Sequence, residues 1–156
     1  MKTKAVLSAK QLTPLIEMII ALAFFTVTST ILAQLFARAH KDSRFAHDMN
    51  NATLFVAECA EKIRSAGAYG AVPDLLGHEG FEAGGGEHVY HAYLDGGFSP
   101  VAADEAYATV TFAFVVKETA AGRLLTGQFV CIRKDGKELA GIEAAVFFTG
   151  AKDAGA

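Results

Sequence analysis

The first 66 residues contain no glycine, although the chain has 15 of them. Tryptophan is absent, and there are only 3 prolines. Each shortage excludes something. So few prolines, without a glycine period, rule out a collagen-like or Pro-rich chain, and a hydrophobic fraction of 52% rules out disorder. Glycine is costly inside helices and useful in turns. The chain therefore reads as a long helical half followed by a turn-rich half, within the 156 residues of one ordinary domain.

Charge is scarce in one place. Between Lys10 and Arg38 the only charged side chain is Glu17, and Met18 to Phe36 is a run of 19 residues without any. As a helix at about 1.5 Å per residue, this run reaches roughly 28 Å, close to the hydrocarbon thickness of a bilayer. A buried helix of a soluble core rarely stays uncharged on every face for so many turns. Thr26, Thr28, Ser29 and Thr30 interrupt the hydropathy, but such hydroxyls can bond back to the i−4 carbonyl, and small residues favour close helix packing. Lys2, Lys4 and Lys10 precede the span, so the positive-inside rule predicts a cytoplasmic N-terminus and an extracytoplasmic remainder. A competing reading is a secretory signal cut after Ala39, at the Ala37-Arg38-Ala39 segment, which would release a secreted binding module starting at His40. The apolar run is longer than a typical signal, and the helical pattern passes straight through that segment.

Beyond Phe36, apolar or small residues recur at Phe45, Met49, Ala52, Val56, Cys59 and Ile63, the stripe of an amphipathic helix. Arg38, Lys41, Asp48, Asn51, Glu58 and Glu61 fill the other positions. Thr13 is a natural N-cap with Pro14 at the first helical position, and Ser65-Ala66-Gly67 supplies a stop. One helix from Pro14 to Ala66 would be about 80 Å long, more than a domain of this size can bury.

After Gly67 the chain turns acidic, with six basic and twelve acidic residues over 68–156. That balance gives no support to a nucleic-acid partner. Glu82 to Glu87 reads as an exposed loop. Four strands are predicted over Val89–Leu94, Ala106–Val116, Leu124–Arg133 and Leu139–Phe148, with hairpin turns at Thr119–Gly122 and Lys134–Lys137, the second carrying Asp135-Gly136. Three or four antiparallel strands burying one face against the helical stripe make an α+β fold.

Catalytic and metal motifs are missing. The triple glycine at 84–86 lacks the Lys-Ser/Thr of a phosphate loop. His88 and His91 would point to opposite faces of a strand, and His40 and His47 lack a third ligand. Asp95-Gly96-Gly97 and Asp104-Glu105 read as solvated turns sooner than as calcium loops. No cofactor, no metal and no enzymatic activity is expected. Cys59 and Cys131 are read as two buried thiols, with a helix-to-strand disulfide as the alternative in an oxidising compartment.

The segment from Thr13 to Ala23, TPLIEMIIALA, behind a short basic leader, resembles the N-terminal region of type IV pilins and pseudopilins. The final hairpin is similar to that of short minor pseudopilins of type II secretion and competence systems. The resemblance implies a leader over 1–12, a long helix over 13–67 with a transmembrane span at about 15–36, and a small acidic antiparallel β head over 68–156. It further implies a structural filament subunit held in the cell membrane, with membrane lipid and other pilin subunits as partners. A prepilin peptidase would cut between Leu12 and Thr13 and methylate Thr13. Glu17 would neutralise the amine of a neighbouring subunit during assembly, as an intramembrane acid needs a partner. Where the family has glycine before the cut, this chain has Leu12, and Pro14 removes an N–H, both of which weigh against processing.

Overall fold

A glycine-free stretch rich in Ala, Leu and Ile forms one unbroken helix, α1 (Ala9–Arg64), of 56 residues. The computed structural model describes residues 9–86 and 88–149, with side chains from Thr13 onward. The first eight residues of the expected leader lie outside the described residues. The helix does not begin at Thr13. It already runs from Ala9, and Pro14 lies inside it, in the second turn. Ala9, Lys10, Gln11 and Leu12 are all strong helix formers, which outweighs one missing donor so near the end.

The chain divides into two compact units, Met1–Phe45 and Ala46–Ala156, and α1 contributes to both. In the first unit every side chain from Thr13 to Arg44 is exposed. The hydroxyls of Thr26, Thr28 and Thr30 donate to the carbonyls of Leu22, Phe24 and Thr26 at 2.8, 2.8 and 2.9 Å. Their polarity is thereby turned inward on the helix backbone.

In the second unit the end of α1 packs on a five-stranded antiparallel sheet, which makes the fold α+β. The strands β1 (Phe81–Ala83), β2 (Val89–Leu94), β3 (Ala108–Thr119), β4 (Gly122–Arg133) and β5 (Glu138–Thr149) pair in sequence order as a meander. The four predicted strands are β2 to β5, β2 with the expected bounds. Two elements were not expected. A short helix α2 (Val72–His78) follows α1, and β1 forms where a loop was read at Glu82, pairing Phe81–Ala83 with Tyr90–Ala92. Gly80 links the two at φ +80, a left-handed position closed by Pro100, which a Cβ would approach to 2.8 Å.

The stripe of α1 also needs correction. Ala52, Val56, Cys59, Ala60 and Ile63 are buried, but Met49 is 41% exposed, and its neighbour Asp48 is 9% exposed instead. A charge replaces the apolar residue because partners on the sheet satisfy it, as described below. Against this face lie Phe112 and Phe129, stacked at 4.1 Å, with Val110, Leu125 and Cys131. Lys62 reaches both Glu58 (2.8 Å) and Glu79 (2.7 Å), tying α1 to the end of α2.

The helix stop differs in mechanism from the expected glycine cap. Gly67 is not left-handed. The helix loosens through Ala66 N–H on the Ile63 carbonyl, and Ser65 Oγ donates to the Lys62 carbonyl. At Lys134–Lys137 the Asp-Gly turn forms as read, with Gly136 at φ +83 and Asp135 Oδ1 accepting from the Lys137 N–H.

Candidate functional site

The most unusual chemical feature of the first unit is Glu17. Its carboxylate lies on a helix whose neighbours Leu15, Ile16, Met18, Ile19 and Ile20 are at least half exposed, and nothing within the described residues pairs with it. The helix is long and apolar enough to cross a membrane, near the N-terminus, by length and composition. A carboxylate at the edge of such a run calls for headgroup water or a cation as its partner. Thr13 is described and exposed, at the start of the same face-independent apolar surface; for Leu12 only the helical backbone is described. The proposed scissile bond between them therefore lies within helix. The Ala37-Arg38-Ala39 segment is helical as well, in the middle of α1.

Arg38, Lys41 and Arg44, all exposed, follow the apolar run. They match in number the three lysines that precede it, so the cationic bias by itself does not orient the span.

The second unit holds a polar cluster that sequence reasoning missed. Asp48 Oδ2 accepts from Tyr107 Oη at 2.6 Å and from Arg133 Nη1 at 3.1 Å. Arg133 also forks onto Asp135, Nε to Oδ1 at 3.0 Å and Nη2 to Oδ2 at 2.6 Å. These charge-assisted bonds hold the guanidinium firmly protonated and depress the Asp135 carboxyl to about 2, chiefly through Arg133. The Tyr107 phenol is pushed up, first by its bond to Asp48 and then by burial. The partners of Asp48 lie 59 and 85 residues away, so no local signal announces them. These bonds make the cluster a fastening between α1 and the end of β4.

The remaining candidates are occupied structurally. Asp95 Oδ1 accepts from the N–H groups of Gly97 (2.8 Å) and Ser99 (2.9 Å), closing its own turn. Asp104 and Glu105 sit exposed in a 3-10 turn, Ala103–Glu105. His91 shares a hydrogen bond with Thr111 at 3.1 Å, His88 stacks on Phe114 at 4.7 Å, and His47 bonds Asn51 at 3.2 Å. Among the described residues no three His, Cys, Asp or Glu side chains gather to hold a metal ion.

Cys59 and Cys131 are free and buried. Burial pushes their thiols up to about 12 and about 11, so both stay protonated at neutral pH. Alkylation by N-ethylmaleimide at pH 8 should be at least about a hundredfold slower in the native protein than in urea, because only the thiolate attacks. Mass spectrometry of the quenched reaction checks this; rapid native labelling of either residue would contradict the buried placement.

Compared with family models, with curated proteins and with solved structures, the chain finds no match.

Proposed function

We propose that this chain is a structural subunit: a single-pass membrane protein that joins a pilus-like filament as a minor pilin or pseudopilin. The observation that carries the reading is the uncharged run Met18–Phe36 inside an unbroken helix with every side chain exposed, entered by the lone carboxylate of Glu17. Exposed apolar area of this kind has two natural environments, lipid before assembly and the equivalent helices of other subunits afterwards. Glu17 serves the second environment. In a filament its charge meets a neighbour's α-amino group in a low-dielectric setting, where an unpaired carboxylate is costly. In this reading the orientation follows from the pilin resemblance, which sets the head, residues 68–156, on the extracytoplasmic side as the surface of the assembly.

Glu17→Ala separates insertion from assembly. The variant should remain in the membrane after carbonate extraction, as the unaltered chain does, yet lose filament formation and the subunit-to-subunit crosslinks of the native cell. Normal assembly by Glu17→Ala would refute the pairing role, and extraction of the unaltered chain by carbonate would refute the membrane span. Mass determination of the native N-terminus adds an independent readout: a methylated Thr13 identifies processing at Leu12, and an N-terminal His40 would identify a secreted module instead.

A further inference from the structure

The open edge of the sheet is a second feature with an unmet requirement. β5 (Glu138–Thr149) pairs only with β4 among the described residues, so one side of a 12-residue strand keeps its N–H and C=O groups unpaired. The opposite edge is protected by being short, since β1 has three residues. β5 has no proline, lysine or arginine, and its one bulge, at Leu139, together with Glu138 disturbs only its start, so Ala140–Thr149 runs in regular register with Glu143 as its one charge.

An independent observation lies beside this edge on the outer face. Ala113, Thr126, Gly127, Gln128 and Glu143 line a shallow depression of about 300 Å³. Ala113, Gln128 and Glu143 form one cross-strand row over β3, β4 and β5. The side chains of Thr126, Gln128 and Glu143 are not engaged in any hydrogen bond or ion pair among the described residues, and Thr126, Gln128 and Glu143 are exposed. Along β5, Glu143 has only Gly141 and Ala145 as neighbours on its face, which leaves room for a long side chain.

We infer that β5 accepts an extended segment of another protein by strand addition, with a lysine or arginine of that segment laid over the depression onto Glu143. The backbone ladder supplies affinity and the Glu143 row supplies selectivity. Charge decides the occupant. The only charged residues of β5 are Glu138 and Glu143, so β5 of a second copy brings no cation and sets Glu143 near its own equivalent. A basic, alternating segment answers both the edge and the carboxylate. The inference concerns the head alone and holds whether or not the helix joins a filament.

The test uses the full chain in detergent and a short, capped, fluorescent peptide that alternates threonine and valine around a central lysine. A second peptide has glutamate in place of the lysine. The lysine peptide should bind roughly fivefold or more tightly than the glutamate peptide, since attraction is exchanged for repulsion at one pair. Glu143→Lys should reverse that order, and the exposed position keeps the fold intact, as circular dichroism would verify. Hydrogen exchange over residues 138–149 should slow when the lysine peptide binds. Absence of binding by either peptide, equal binding of both, an order unchanged by Glu143→Lys, or protection confined to another strand would each overturn the inference.

Discussion

Asp48→Ala is expected to destabilise the 46–156 unit by about 3 kcal/mol, the largest loss of any single polar change in it. The reasoning starts from solvation. Asp48 and Arg133 retain only 13% and 17% of their side-chain exposure, so each charge has given up most of its water. Removing one partner of such a pair costs about 3–5 kcal/mol because the other is left desolvated. Here Arg133 keeps its fork on Asp135, which moves the expectation to the lower end. The Tyr107 hydroxyl also loses its acceptor, a loss already contained in that range. A loss of this size should lower Tm by roughly 10 °C or more. The control is Asp135→Asn: Asp135 is 46% exposed, so solvent screens its pair and its change should cost far less than that of Asp48. Thermal melts of the three proteins in one detergent decide the matter. If Asp48→Ala melts with Asp135→Asn, the fastening is decorative and the apolar contacts of α1 carry the attachment alone.

The same cluster shows where the sequence stops being informative. The position of α1 was legible because its causes are local: no glycine before Gly67, a run without charge, then a stripe at helical spacing. The strands β2 to β5 were legible from alternation and from Asp135-Gly136. Helical spacing places Asp48 off the apolar stripe, whereas its burial is decided by Tyr107, just before β3, and Arg133, at the end of β4, both far along the chain. Met49 lost its core position to the same long-range bond. β1 escaped notice because three residues beside glycines carry too little pattern, and its pairing depends on β2. Pro14 marked a helix start by local preference, yet good helix formers on its N-terminal side carry the helix past it. In the first unit, Glu17 was legible as a lone charge in an apolar run. What pairs with it was not, and nothing among the described residues does.

Gly127→Val should destabilise the same unit by about 3 kcal/mol, and its cause is geometric rather than conformational. Gly127 lies mid-strand in β4 opposite Phe114, a place where glycine normally costs stability through chain entropy. A Cβ there would stand 2.6 Å from the Phe112 ring and 2.7 Å from the Phe114 Cβ. The first atom belongs to a ring that is fully buried and stacked on Phe129, and the second is held by its own backbone, so neither can yield cheaply. The entropic gain from removing a glycine, about 0.4–1 kcal/mol, is therefore overwhelmed. Two substitutions at this contact should compensate each other. Phe112→Leu alone should cost stability by leaving a void where the ring edge stood. Combined with Gly127→Ala, that void receives the new methyl, and the double variant should be at least about 1 kcal/mol more stable than the two separate losses add up to. Urea unfolding of the four proteins measures this coupling. Strict additivity would mean that the strand, not the ring, absorbs the added carbon, and that the close approach of β4 to Phe112 does not constrain which residue can stand at 127.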